Sequence, residues 1–198
     1  MQLCKRSRVL AAALAAVAKR VPLRGMNRVL HAAFDPDRQK PYPFQAPFFE
    51  FTYFGDASNH IDWTVFFYGC YERADVDLMR SILRRLPDPT ALDVGANSGH
   101  HTLAIASLCR HVHAFEPYEP VRSVLADRVA RNRIGNVTIH PFGLSDSSKT
   151  LPFEPPITCN TGMGRFISTG TVQLAVRRNL AASPDPSHRG CRRRNPDA

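Results

Sequence analysis

The chain has 198 residues, with 26 Lys and Arg against 17 Asp and Glu and a formal net charge of +9. Its length predicts one domain, because domains usually take about 100–200 residues. A hydrophobic fraction of 43% with 12 Phe is enough to bury a core, which excludes wholesale disorder. No stretch approaches the roughly 20 apolar residues of a membrane-spanning helix. Excess positive charge would by itself suggest nucleic acid or an anionic membrane as a partner.

The positive charge is concentrated at the two ends of the chain. Residues 1–40 hold nine Lys and Arg against two acids, residues 41–164 hold ten against 13, and residues 165–198 hold seven against two. The three net charges are therefore +7, −3 and +5. Because the middle section is slightly acidic and carries the apolar periodicity, a globular domain with a basic nucleic-acid-binding face is not expected.

Neither a metal site nor a disulfide framework is predicted. The five cysteines are scattered, and none belongs to a C-x-x-C pair. His100 and His101 are adjacent, so they would point to different faces of a helix, and no set of Cys or acids joins them. The reducing cytoplasm is the expected location of such a chain.

Residues 1–34 are predicted to form a basic helical leader. Leu10, Leu14, Val17 and Val21 recur at helical spacing, which favours an amphipathic helix with these residues on one face. Basic residues before the apolar run 9–18 also imitate a signal peptide, so export remains an alternative. Weak contact with a membrane surface is a further alternative.

The next elements are predicted from proline content and apolar periodicity. Residues 35–60 are proline-rich and indicate an extended linker. Alternating apolar residues over 61–69 predict a strand, and helical spacing over 74–86 predicts a helix that ends before Pro87. Short strands are then predicted at 90–94, 112–115 and 136–140, with helices at 99–110 and 120–134 between them. This βαβαβ unit predicts an α/β fold with a parallel, Rossmann-like sheet that binds a nucleotide at its carboxyl ends.

The chemistry is expected in the loop between the first strand and first helix of that unit. Gly95 and Gly99 let the backbone turn sharply and approach a ligand closely, because no Cβ obstructs it. Glu116 follows the second strand at once, 23 residues after Asp93. A carboxylate in that position can accept hydrogen bonds from ribose hydroxyls.

The same loop distinguishes between two kinds of cofactor. A dinucleotide-binding loop would read G-x-G-x-x-G, but Asn97 and His100 stand at the second and third glycine positions. The pyrophosphate would lose its closest backbone approach, so NAD is disfavoured. A ligand with a ribose and no phosphate fits better, and S-adenosyl-L-methionine (SAM) is such a ligand.

Several segments together carry a resemblance to a known family: Phe66-Phe67-Tyr68-Gly69 with Tyr71-Glu72, Asp93-Val94-Gly95-Ala96-Asn97-Ser98-Gly99, Phe115-Glu116-Pro117, Asn132, Asn136-Val137, Leu144-Ser145-Asp146 and Asn160-x-Gly162. In these segments the chain resembles the FkbM-type family of SAM-dependent methyltransferases, which have the class I Rossmann-like fold. The resemblance runs from about residue 63 to residue 164.

The resemblance implies seven cofactor-binding residues: Asp93, Gly95, Ala96, Asn97, Gly99, Glu116 and Asp146. The loop residues would line the methionine and ribose part of SAM, Glu116 would hold the ribose hydroxyls, and Asp146 would lie near the adenine. Tyr71 and Glu72 would cap the pocket, with ordinary aromatic packing as the alternative for Tyr71. The implied reaction is O-methylation of a hydroxyl on a small molecule or sugar, with no nucleic-acid partner. The sequence identifies no catalytic residue.

The chain departs from the family pattern after its third strand. Family members continue into a strand ending in an Ile-Asp-Val-Glu-Gly-like motif, and nothing like it follows Asp146. We therefore expect residues 61–164 to be the N-terminal part of a truncated methyltransferase domain, and the Arg-rich residues 165–198 to be a disordered basic tail. Loss of the reading frame after residue 164, or a degenerate gene, would explain that change.

Two alternatives to an active methyltransferase stay open. One is a non-catalytic remnant that binds the cofactor weakly or has lost it. The other is a basic protein that associates with nucleic acid or a membrane through its charged ends. The sequence gives no indication of the oligomeric state.

Overall fold

The predicted βαβαβ unit is present in the computed structural model, and its strands form a three-stranded parallel sheet. The structure describes residues 5–20, 24–38, 40–156, 160–169 and 172–178. The strands of this sheet are β3 (Thr90–Val94), β4 (His111–Phe115) and β5 (Val137–His140), in the order β3-β4-β5. Helices α5 (His100–Ala106) and α6 (Glu119–Arg131) connect them. Both strand pairs are parallel, which confirms the α/β fold class and its incomplete Rossmann-like sheet.

The core covers one face of this sheet. Val112 and Ala114 of β4 are fully buried on that face. Val112 packs in one hydrophobic cluster with Leu103 of α5. Ala114 packs in another hydrophobic cluster with Leu125 of α6. Leu92 and Val94 of β3 alternate onto the opposite face and are 54% and 57% exposed. Because parallel sheets are normally covered on both faces, this second face is incomplete among the described residues.

A helix replaces the strand that was predicted over residues 61–69. Helix α3 (His60–Tyr68) begins after Asn59, whose side chain accepts hydrogen bonds from the N–H groups of Ile61 and Asp62. Gly69 ends it with a φ of 84°. The prediction was wrong because α3 buries residues on most of its circumference, so an alternating pattern was as visible as a helical stripe. Helix α4 (Arg73–Leu83) follows and ends before Pro87, as predicted.

A β-hairpin occupies much of the predicted proline-rich linker. Strand β1 (Pro43–Phe48) pairs antiparallel with β2 (Phe51–Asp56). The two prolines of β1 are compatible with a strand because this sheet has two strands, so β1 has an edge free of ladder hydrogen bonds. Phe48 and Tyr53 are buried in the main core, which gives the hairpin its apolar face.

The described residues of the predicted helical leader form two helices, α1 (Lys5–Ala18) and α2 (Met26–Ala33). The described side chains of α1 show which part of the helix is buried. Ala11, Ala15 and Ala18 are buried, whereas Leu10 and Val17 are exposed; Val21 lies outside the described residues. No helix in the described part of the chain is long and apolar enough to cross a membrane.

A second sheet extends into the predicted disordered tail. It contains β6 (Gly143–Leu144), β7 (Lys149–Glu154), β8 (Arg165–Phe166) and β9 (Val172–Arg177), in the order β6-β9-β7-β8. Disorder was a wrong prediction for β8 and β9, because the apolar alternation of β9 places Leu174 opposite Leu151 of β7. The rest of the predicted tail, residues 179–198, lies outside the described residues.

Candidate cofactor-binding site

Three left-handed residues shape the loop between β3 and α5. The φ angles of Gly95, Asn97 and Gly99 are 78°, 49° and 86°. A Cβ on Gly99 would clash with the Leu125 side chain of α6, whereas a Cβ on Gly95 would meet nothing within 4 Å. Gly99 therefore allows the close approach of α6, and Gly95 lies beside open space.

The Glu116 carboxylate is fixed next to this loop by two backbone groups. Its Oε2 accepts the N–H of Asn97 at 2.9 Å, and its Oε1 accepts the N–H of Tyr118 at 2.8 Å. The residue is 8% exposed, and burial raises the pKa of its carboxyl although both hydrogen bonds act in the opposite direction. Each carboxylate oxygen has a second lone pair, so Glu116 can still accept hydroxyl donors from a ligand.

A cavity of about 230 Å³ opens at the carboxyl ends of β3 and β4. Gly95, Asn97 and Glu116 line one side, so three of the seven predicted cofactor residues meet at one place. Gly143, which follows β5, also lines the cavity. This is the end of a parallel sheet at which open α/β folds bind their ligands.

The other predicted residues do not line the cavity. Ala96 is buried in the core, and Asp93 accepts the hydroxyl of Thr102, with a carboxyl pKa that burial raises. Asp146 is exposed and accepts hydroxyl donors from Ser145 and Ser147. Asp93, Ala96 and Gly99 therefore stabilise the loop without lining the cavity. Asp146 is exposed to solvent.

The two residues expected to cap the pocket pack elsewhere. The carbonyl of Tyr71 lies 2.8 Å from Nε2 of His100, and their rings lie 5.9 Å apart. Glu72 contacts Nε2 of His101 at 3.4 Å. For Tyr71 the structure matches the packing alternative.

Sequence reasoning missed one polar and three aromatic residues of the cavity. Thr161 donates its hydroxyl to Oδ1 of Asn97 at 2.9 Å. Tyr118, Phe153 and Phe166 form an aromatic wall, in which the rings of Tyr118 and Phe153 are 5.2 Å apart and those of Phe153 and Phe166 are 5.5 Å apart. The signal for Thr161 was its place inside the Asn160-x-Gly162 segment. The aromatic residues come from three separate elements and had no such signal.

A buried arginine supports the loop from the opposite side. Arg128 of α6 is 1% exposed and donates from Nη2 to both carboxylate oxygens of Asp62, at 2.8 and 2.7 Å. Its Nη1 donates to the Ser98 carbonyl at 2.8 Å and to the Tyr53 hydroxyl at 2.9 Å. This network joins the hairpin, α3 and α6 to the loop through a single side chain.

Among the described residues, no cluster of three or more His, Cys, Asp and Glu side chains could hold a metal ion. The residues at the cavity suit an organic ligand better. They combine one fixed carboxylate, an open glycine and aromatic rings.

Comparisons with known proteins give similarities that cover part of the chain. No family model matches it. AMB antimetabolite synthetase AmbE of Pseudomonas aeruginosa is 33% identical over 99 residues, which are 48% of this chain and 5% of that protein. The chain therefore spans a small fraction of the length of this curated relative.

Several of the similar solved structures are methyltransferases. A SAM-dependent methyltransferase from Agrobacterium tumefaciens is 10% identical over 54% of this chain and 34% of its own, with a TM-score of 0.41. TYW2 of M. jannaschii, in complex with AdoMet, is 13% identical over 52% and 44%, with a TM-score of 0.40. An rRNA methylase from Streptococcus thermophilus is 24% identical over 33% and 41%, with a TM-score of 0.31.

Proposed function

We propose that this chain is the cofactor-binding part of a SAM-dependent methyltransferase of the FkbM type. The observation that carries the proposal is the position of Glu116. Its buried carboxylate lies at the carboxyl end of β4, beside the Gly95 turn and on the wall of the cavity. A carboxylate there suits the two hydroxyls of a ribose, which donate hydrogen bonds that Glu116 can still accept.

The hydrogen bonds of the loop favour SAM over a dinucleotide. A pyrophosphate needs free backbone N–H groups at the start of the helix. Here the N–H of Asn97 is bound to Glu116, and the N–H of Ser98 is bound to Oδ1 of Asn97 at 2.7 Å. The negative charge of Glu116 would also repel a phosphate group. A ligand that has a ribose and no phosphate needs no free N–H group there and is not repelled by Glu116.

The remaining residues of the cavity have complementary roles in this proposal. Gly95 would accept the methionine end of the cofactor, since a Cβ there would extend into open space. Tyr118 and Phe153 would contact the adenine with their rings. When bound, SAM supplies a methyl group that is already activated on a sulfonium, so the protein needs mainly to orient the acceptor.

In this proposal the methyl acceptor is a hydroxyl on a small molecule or sugar. The protein is located in the cytoplasm, where SAM is made. A second candidate is a cofactor-binding remnant without activity. The observation that favours it is that Glu116 is the one acid among the described residues that line the cavity. If Glu116 holds the ribose, the described wall of the cavity offers no second carboxylate as a general base.

Calorimetric titrations of the whole chain with SAM and with NAD test the cofactor assignment. We expect a binding isotherm with SAM and none with NAD. No heat with SAM, or tighter binding of NAD, would contradict the proposal. Assaying methyl transfer from SAM to a panel of hydroxyl compounds then separates the enzyme from the remnant, because only the enzyme gives a methylated product.

A further inference from the structure

Helix α1 buries three alanines and leaves two of its larger apolar side chains exposed. Ala11, Ala15 and Ala18 are buried in the cluster that contains Trp63 of α3. Leu10 and Val17 are instead 55% and 45% exposed. Burial of Leu or Val stabilises a protein more than burial of Ala, so a helix with no other partner would be expected to pack the other way round.

The exposed Leu10 and Val17 share one stripe with Leu14, which is partly buried. Leu10, Leu14 and Val17 are spaced i, i+4, i+7, which places them on the same side of α1. Leu14 is half-buried at the border of the cluster beneath the helix. Val29 of α2 is a further exposed apolar side chain in the leader, at 58%. The leader therefore presents apolar surface that the described residues leave uncovered.

The same region is rich in positively charged residues. Residues 1–34 contain seven Lys and Arg and no acid. Lys19, Arg20, Arg24 and Arg28 are exposed, and none of them forms an ion pair with another described residue. Elsewhere on the surface arginines do find acids, as Arg73 does with Asp77 at 2.8 Å.

We propose that helices α1 and α2 of the leader bind the surface of an anionic membrane. Leu10 and Val17 would enter the boundary between headgroups and acyl chains, and the exposed cations would contact lipid phosphates. With 14 residues, α1 lies on the surface, because a spanning helix needs roughly 20 apolar residues. Nucleic acid would use the cations equally well, but it gives no reason for the leucine and valine stripe.

Cosedimentation of the whole chain with phosphatidylcholine vesicles, with and without phosphatidylglycerol, tests this inference. We expect binding to the anionic vesicles that weakens as salt is raised. The double variant Leu10→Ser/Val17→Ser should partition roughly tenfold more weakly. The triple variant Arg20→Ala/Arg24→Ala/Arg28→Ala should partition roughly a hundredfold more weakly at low salt. Leu78→Ser, which changes an exposed leucine of α4, is the matched control and should bind as the unmodified chain does.

The outcomes separate a membrane from the other possible partners. Absence of binding, or equal binding to both kinds of vesicle, would overturn the inference. Unchanged binding by the Leu10→Ser/Val17→Ser variant would show that the stripe is not used. If only the arginine variant loses binding and RNA competes with the vesicles, the surface is a nucleic-acid interface instead. Circular dichroism of each variant checks that the exposed substitutions leave the fold intact.

Discussion

Asn97 donates its backbone N–H to Oε2 of Glu116 across 2.9 Å, and this hydrogen bond joins the loop after β3 to the end of β4. The two residues belong to separate sequence motifs, 19 positions apart. Their contact makes the Glu116 carboxylate and the glycine-containing loop one unit. The site is therefore expected to respond to changes on either side of this bond.

Loss of the Thr161 hydroxyl should weaken cofactor binding and lower the free energy of unfolding by about 2 kcal/mol. This hydroxyl donates to Asn97 and accepts from Nδ2 of Asn59 at 3.2 Å. Thr161→Val keeps the shape of the side chain and removes both bonds, which are worth about 1 kcal/mol each. We expect SAM affinity to fall about fivefold or more in a calorimetric titration. Thr150→Val, on the exposed part of β7, should bind SAM as the unmodified chain does; equal loss in both variants would contradict the role of Thr161.

Gly99→Ala should destabilise the protein more than Gly95→Ala does. Both positions have a left-handed φ, so either change adds backbone strain of about 1–2 kcal/mol. Gly99→Ala also forces a Cβ against Leu125, and such overpacking typically adds about 1–3 kcal/mol. Urea denaturation of the two variants measures the difference. Equal losses in the free energy of unfolding would show that Leu125 moves aside without cost.

Removal of Arg128 should be among the most damaging single changes in the chain. Arg128→Ala leaves Asp62 buried without its partner, and loss of one member of a buried ion pair costs about 3–5 kcal/mol. Arg131→Ala, one turn along the same helix, breaks a pair with Asp127 that is exposed and should cost less than about 1 kcal/mol. Urea denaturation compares the two. Similar losses would mean that the Arg128 network contributes little to the fold.

The stability of the fold should depend on pH through His100. Burial lowers the pKa of His100 from 6.5 to about 3. In the window between these values the unfolded chain binds a proton that the folded chain does not, so stability falls as pH is lowered through it. The slope from this residue is about 1.4 kcal/mol per pH unit.

Urea denaturation at a series of pH values in that window measures the contribution of His100. His100→Gln should flatten the pH dependence, because the glutamine has no proton to gain. His101→Gln, in which the replaced side chain is 33% exposed, serves as the matched control. If the His100→Gln slope equals that of the unmodified chain, another group is responsible for it.

The sequence predicted the parts of the fold that depend on local periodicity. Strand β3 was predicted with the same bounds that the structure has, and β4, β5, α5 and α6 differ at their ends. Helix α3 was missed because its apolar residues lie on most of its circumference. Strands β1 and β9 were missed because proline or arginine content concealed a short apolar alternation.

The site residues that could be predicted are those in a short motif directly after a predicted strand. Gly95, Asn97 and Glu116 meet at the cavity because two adjacent strand ends hold them. The contact of Arg128 with Asp62 spans 66 positions, and no spacing rule in a single sequence indicates it. Asp146 was expected near the adenine, but neighbouring serines hold its carboxylate at the surface.

The affinity of Glu116→Gln for SAM, measured by calorimetry beside Glu119→Gln, tests the central claim most directly. Glu119 is an exposed acid three positions away, so its variant controls for the loss of one negative charge. We predict that Glu116→Gln binds SAM about tenfold to a hundredfold more weakly, since hydrogen bonds to a charged group are worth about 1.5–3 kcal/mol. Glu119→Gln should bind as the unmodified chain does. Equal affinity in all three proteins would contradict the assignment of Glu116 as the ribose acceptor.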